Sequence, residues 1–228
     1  GRIDFENQSF QLEELPFSLD EINDIQQIRL IGSGTSFNAA LLGRYFMETL
    51  SGLPSEAETS SEFRYREPII NEKTLVISIG QSGETADTLG AMVAARAKGA
   101  RIITICNVDG SQATRIADGK LLMRCGMEIG VASTKTFMAS LIILTILGAY
   151  LGQKRGFIDK KTLSMLVADI SHLPRLIGEM LRNHEPYKKL SRELFRYEHL
   201  IYLGRGSMYP IAMEGALKIK EISYIHAE

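Results

Sequence analysis

The chain has 228 residues, 45% of them apolar and 23% charged, and a net charge of −1. That is enough for one large domain, or for one domain and part of another, around a core of ordinary size. The charge balance creates no field that favours nucleic acid or an anionic membrane, although local donors could still hold a small anion.

Cys106 and Cys125 form no CxxC pair, and the four histidines make no HExxH, so neither a metal site nor a bound cofactor is expected. Cys106 reads as a small buried hydrophobe, and both thiols suit a reduced, cytoplasmic setting. The start, Gly1-Arg2-Ile3-Asp4, lacks the basic and apolar runs of a secretion signal. It also lacks an initiator methionine, so a longer parent chain is expected.

In chain order, Ile28-Arg29-Leu30-Ile31 is a short apolar run stopped by Gly32-Ser33-Gly34, and a helical stretch follows from Phe37 to Leu50. Leu75 to Ile79 is a second run, stopped by Gly80-Gln81-Ser82-Gly83. The alanine-rich stretch Ala86 to Lys98 reads as a helix ending at Gly99. Arg101 to Cys106 is a third strand and Lys120 to Arg124 a fourth. Apolar strands that alternate with helices imply a parallel sheet covered on both faces.

The uncharged run Phe137 to Gly152 is shorter than the roughly 18–20 residues of a membrane span and reads as a buried helix. A second long helix spans about Lys160 to Leu181, and Pro174 is expected to kink or break it. Asn183-His184-Glu185-Pro186 reads as a loop or helix boundary. Then His199-Leu200-Ile201-Tyr202-Leu203-Gly204-Arg205-Gly206 repeats the strand and Gly-x-Gly of Gln27 to Gly34 at constant spacing.

Two loops are rich in hydroxyls: Gly32-Ser33-Gly34-Thr35-Ser36 and Gly80-Gln81-Ser82-Gly83-Glu84-Thr85. Each precedes a helix, whose N-terminal amides and partial positive charge suit an anion. The competing reading is simple N-capping by Ser or Thr. Phe37 replaces the third glycine of a dinucleotide fingerprint, and no glycine-rich loop continues into GKS or GKT. A small phosphate monoester is therefore the better ligand. A third loop, Gly126 to Lys135, shows only a helix start.

Met213 to Tyr224 reads as a helix with Ala212, Ala216, Ile219 and Ser223 on one face and Glu214, Lys218 and Glu221 opposite. By pattern alone, the charged face is a solvated one with a Glu–Lys pair. Beside a bound sugar phosphate, however, a carboxylate and an ammonium could move a proton between adjacent carbons.

Together, Gly34-Thr35-Ser36, the QSGETADT run from Gln81 to Thr88, Glu128 to Lys135 and Glu214 to Glu228 resemble the glucosamine-6-phosphate synthase family (glutamine–fructose-6-phosphate aminotransferase, isomerizing). The QSGETADT run is shared with sugar-isomerase (SIS) domains at large.

The resemblance implies a three-layer αβα sandwich with a parallel, flavodoxin-like sheet. It implies a first SIS domain with an N-terminal linker over residues 1–195. Residues 196–228 would be the first strand and helix of a truncated second one. It further implies sugar-phosphate contacts from Thr35, Ser36, Gly80, Gln81, Ser82, Thr85, Val131 and Ser133. Glu221 would shuttle the proton between C1 and C2, and Lys218 would assist.

The family carries serine at the position of Gly80. Its glutamine amidotransferase domain, its ring-opening histidine and its imine-forming lysine have no counterpart in this chain, so the chain alone is expected to be inactive. The expected partners are a sugar phosphate and a second copy in a homodimer. The alternative is a regulatory phosphosugar-binding module without catalysis.

Overall fold

The computed structural model describes residues 1–228. Two short strands, β1 (Ile3–Asp4) and β2 (Ser9–Phe10), form an antiparallel ribbon before helix α1 (Leu19–Asp24). Ser18 and Glu21 close a reciprocal capping box at the start of α1, which satisfies two otherwise unpaired amides.

The central unit follows: β3 (Gln27–Gly32), α2 (Thr35–Ser51), β4 (Ser55–Thr59), α3 (Ser60–Tyr65), β5 (Thr74–Ile79), α4 (Ala86–Ala97), β6 (Arg101–Cys106), α5 (Gln112–Ile116) and β7 (Gly119–Leu122). After it come α6 (Lys135–Lys154), α7 (Lys160–Arg182), α8 (Glu185–Leu194), β8 (His199–Leu200), α9 (Met208–Ser223) and β9 (His226–Ala227).

The five central strands are parallel in the order β4-β3-β5-β6-β7. The chain leaves β3 to one side for β4 and returns to the other for β5, so a topological switch point lies between β3 and β5. Strand residues alternate between the faces. Ile28, Leu30, Leu75, Ile77, Ile103 and Ile105 join the large core under α1, α2, α6 and α7. Ile31, Val76 and Ile102 join a smaller core with Phe63, Ala91, Met92, Ala95 and Ala113 of α3, α4 and α5. These are the three layers expected of the flavodoxin-like sandwich.

Glycines let α2 and α6 cross closely. A Cβ at Gly43 would lie 3.0 Å from the Leu144 side chain of α6, and one at Gly152 would lie 1.8 Å from the Leu50 carbonyl oxygen of α2. α6 is long and apolar enough to cross a membrane by length and composition. It serves here as a core helix, with Phe137, Leu144, Leu147 and Leu151 buried. Cys106 is fully buried at the end of β6, where burial pushes its thiol pKa up.

Two expectations need adjustment. Of the two outcomes expected at Pro174, a break does not occur: α7 runs from Lys160 to Arg182. The proline lies on an exposed face, where water can take the carbonyl freed one turn earlier. The second correction concerns β4, which the apolar pattern did not mark as a strand. Ser-Glu-Ala-Glu-Thr pairs only with β3 and forms the sheet edge, where charge discourages further strand pairing.

Candidate functional site

A cleft of about 310 Å³ opens at the carboxyl ends of β3 and β5. The loop after β3 contributes Ser33, Thr35 and Ser36, and the loop after β5 contributes Gly80, Gln81, Ser82 and Thr85. The third loop contributes Glu128, Gly130, Val131 and Ser133. All eight residues expected to bind substrate therefore line one cavity at the switch point, where ligands bind in open parallel sheets.

The capping alternative can be judged directly. The N-cap of α2 is Gly34, at φ +56°, and the N-cap of α4 is Thr85; neither has a side chain bonded to its helix. No cap side chain therefore competes for the first-turn amides of either helix, although in α2 the Ser36 and Phe37 amides donate to the Ser33 (3.1 Å) and Gly34 (3.0 Å) carbonyls.

The β5 loop is held firmly. The Gly80 amide donates to the Ile105 carbonyl (3.0 Å), the Asn107 amide to Gln81 (2.9 Å) and the Ala113 amide to Gly83 (3.0 Å). Gly83 has φ +69°, and a Cβ there would sit 2.2 Å from the Ser111 hydroxyl. The Ser82 hydroxyl accepts from the Glu84 amide, and the Glu84 carboxylate in turn caps α5 through the Gln112 amide at 2.8 Å. The loop is a pre-set cradle rather than a flexible tether.

Glu128 lies in the third loop, where the sequence pattern assigns it no role. Its carboxylate accepts from the amides of Thr134 (3.3 Å) and Thr136 (3.2 Å) and from the Thr136 hydroxyl (2.8 Å). Burial pushes its pKa up, but these donors outweigh burial and leave it below the usual glutamate value. Ser133 hydrogen-bonds Thr136 beneath it. Val131 is 91% exposed at the mouth. Thr136, Phe137, Ser140 and Met123 complete the wall. The first three come from α6, and Met123, just past β7, meets them where the Ser140 hydroxyl donates to its sulfur (3.8 Å), a contact that sequence spacing does not encode.

Lys218 and Glu221 do not line the cleft, but α9 docks beside it. The reading of Glu214 as part of a solvated face is wrong. It is 5% exposed, and it accepts hydrogen bonds from Thr35 Oγ1 (2.9 Å) and Asn38 Nδ2 (2.8 Å). Lys218 Nζ pairs with Glu214 (3.3 Å), donates to Thr35 Oγ1 (3.0 Å) and pairs with Glu221. The charged face of α9 is turned onto the N-terminus of α2. A helical wheel cannot reveal this, because it does not know what the helix packs against. Thr35 therefore joins the cleft to the charged face of α9.

A family profile described as SIS domain matches residues 21–149. A glutamine–fructose-6-phosphate aminotransferase [isomerizing] of Symbiobacterium thermophilum is 42% identical over the whole chain, which covers 37% of that relative. One of Pseudomonas putida is 44% identical over 93% of the chain, covering 35% of the relative. The chain thus spans little more than a third of the curated relatives it matches. Among solved structures, the C-terminal domain of glucosamine-fructose-6-phosphate aminotransferase from Francisella tularensis superposes with a TM-score of 0.92 at 34% identity. That match covers 97% of this chain and 62% of the other. Tagatose-6-phosphate ketose/aldose isomerase from Escherichia coli, at 19% identity and a TM-score of 0.62, shares the fold.

Proposed function

The chain belongs to the SIS domain family, and on that premise we propose that it forms the sugar-phosphate site of a glutamine–fructose-6-phosphate aminotransferase (isomerizing). The substrate would be fructose 6-phosphate and the product glucosamine 6-phosphate. The observation that carries this reading is the convergence of three hydroxyl- and glycine-rich loops on one cleft, with two helix N-termini free of side-chain caps.

In this reading the phosphate sits against the first turns of α2 and α4. Ser36, Ser82 and Thr85 donate hydroxyls and Gln81 its amide. Gly80 brings no side-chain donor, and its amide is already held by the Ile105 carbonyl. Val131 and Ser133 orient the sugar carbons. Glu221 takes a proton from one carbon of the open-chain sugar and returns it to the next. Lys218 supplies positive charge to the enediolate oxygen that develops between those steps. Glu214 and Thr35 hold Lys218 in place. The parent assembly supplies ammonia from glutamine, and a second copy of the chain completes a homodimer. Residues 1–195 act as the first SIS domain, and 196–228 open a second one.

Thermal unfolding tests the reading. Fructose 6-phosphate and glucosamine 6-phosphate should raise the melting temperature, and free fructose and NAD should not. A ligand at 100 times its Kd adds about 2.7 kcal/mol to a native state that alone binds it. A shift with NAD, or none with either sugar phosphate, would refute the proposal. Turnover to glucosamine 6-phosphate by this chain with ammonia would refute its expected inactivity in isolation.

A further inference from the structure

Three helix N-termini meet at the cleft, those of α2, α4 and α6, and each attracts negative charge. The first two carry no side-chain cap. The third is already filled, because Glu128 accepts from the Thr134 and Thr136 amides and from the Thr136 hydroxyl. This is not an ordinary N-cap, since the carboxylate comes from a residue six positions before the cap, Thr134, whose own side chain makes no cap bond. Glu128 is also the one charged residue in the cleft wall. Lys135, in the first turn of α6, is engaged with the Met127 carbonyl. The cleft wall is therefore polarised: a fixed carboxylate stands at the α6 end, while the α2 and α4 end has helix N-termini without side-chain caps, the paired Glu214 and Lys218 of α9 lying behind Thr35 and outside the wall.

From this polarity we infer that Glu128 is a specificity-determining residue. It makes the cleft take a sugar monophosphate whose far end is neutral or cationic, and reject one that carries a second negative charge there. The inference rests on the sugar-phosphate reading of the cleft and deepens it. A phosphate is steered to α2 and α4 because its third possible seat is taken. An ammonium at the other end of the sugar would face a carboxylate, and a carboxylate there would be repelled.

The test uses two open-chain compounds of nearly equal shape. Glucitol 6-phosphate ends in a hydroxymethyl group, and 6-phosphogluconate ends in a carboxylate. Calorimetric titration of the native chain should show the first binding about five- to thirtyfold more tightly, the range expected for two charges a sugar length apart at intermediate dielectric. Glu128→Gln keeps one acceptor for Thr136 and removes the charge, so it should bring the ratio to within about twofold. Equal binding of both compounds by the native chain, or an unchanged ratio in E128Q, overturns the inference and leaves the sugar-phosphate reading standing. If neither compound nor fructose 6-phosphate binds the native chain, both fall together. Should E128Q not fold, the native ratio measured across a salt series decides. A ratio that shrinks as salt rises supports the electrostatic origin, and one independent of salt overturns it.

Discussion

Gly80→Ser is a substitution whose outcome can be worked out in advance. Gly80 lines the cleft where the resembling family has serine. A Cβ added there would have only the Gly83 amide nitrogen near it, at 4.0 Å, and the backbone is not left-handed. The serine therefore fits without strain, and its hydroxyl would enter the proposed phosphate cradle. A hydrogen bond to a charged group is worth about 1.5–3 kcal/mol. Ordering the side chain takes some of this back, so a net gain of about 1.4 kcal/mol, or about tenfold in Kd, is expected.

At a fructose 6-phosphate concentration about 100 times the native Kd, the native chain gains about 2.7 kcal/mol and the variant about 4.1 kcal/mol. For a chain of this length the difference widens the ligand-induced melting shift by about 3–6 °C. Removing a glycine also raises the ligand-free stability by up to about 1 kcal/mol. The quantity to compare is therefore the shift between free and bound states of each protein. A G80S protein that melts normally when free, yet shows a ligand shift no larger than the native one, would refute the placement of the phosphate.

Three further outcomes follow from the packing. Glu214→Ala leaves Asn38 and Thr35 without their acceptor and takes one of two carboxylates from Lys218. Because Glu221 remains as a partner, the loss is about 2 kcal/mol. Amide exchange across residues 208–223 should quicken about thirtyfold while β5 and β6 stay protected; unchanged exchange in α9 would count against the docking described. Gly152→Ala drives a methyl into the Leu50 carbonyl and should cost at least about 1–3 kcal/mol in urea unfolding. Gly178→Ala, in an open part of α7, should instead gain about 0.5–1 kcal/mol. The folded-state pKa of Glu128 lies below its unfolded value, so its cap on α6 contributes stability at neutral pH and loses it as pH falls below 4.5. Replacement by glutamine should flatten that part of the pH–stability curve, and an unchanged acid limb would refute the assignment.

Much of the fold was legible because its strands are buried on both faces. The runs at Leu75 and Arg101 give their elements nearly residue for residue, since a continuous apolar run between glycines has few other uses. β4 was missed because an edge strand need not be apolar; its only trace is the alternation of Glu56, Ala57 and Glu58. The loops that line the cleft were legible because glycine and hydroxyl residues cluster where strands end. Glu214 and Glu128 were misjudged or passed over for a shared reason. A charged residue looks the same in sequence whether it faces water or a helix terminus, and its partners here come from packing in space. For Glu214 they lie about 180 residues away in the chain. For Glu128 they lie within eight residues, at a spacing that matches no standard cap.

Thr35 lines the cleft, and it also donates to Glu214 and accepts from Lys218. Binding in the cleft and docking of α9 thus share one residue, and by linkage each must change the free energy of the other by the same amount. If a ligand that reaches Thr35 favours the docked form of α9, then docked α9 favours that ligand equally. A substitution on α9 that never touches the sugar would then weaken binding, and an occupied cleft would slow exchange along a helix outside its wall. On the roles proposed for Lys218 and Glu221, α9 would then be docked most completely when the cleft is occupied.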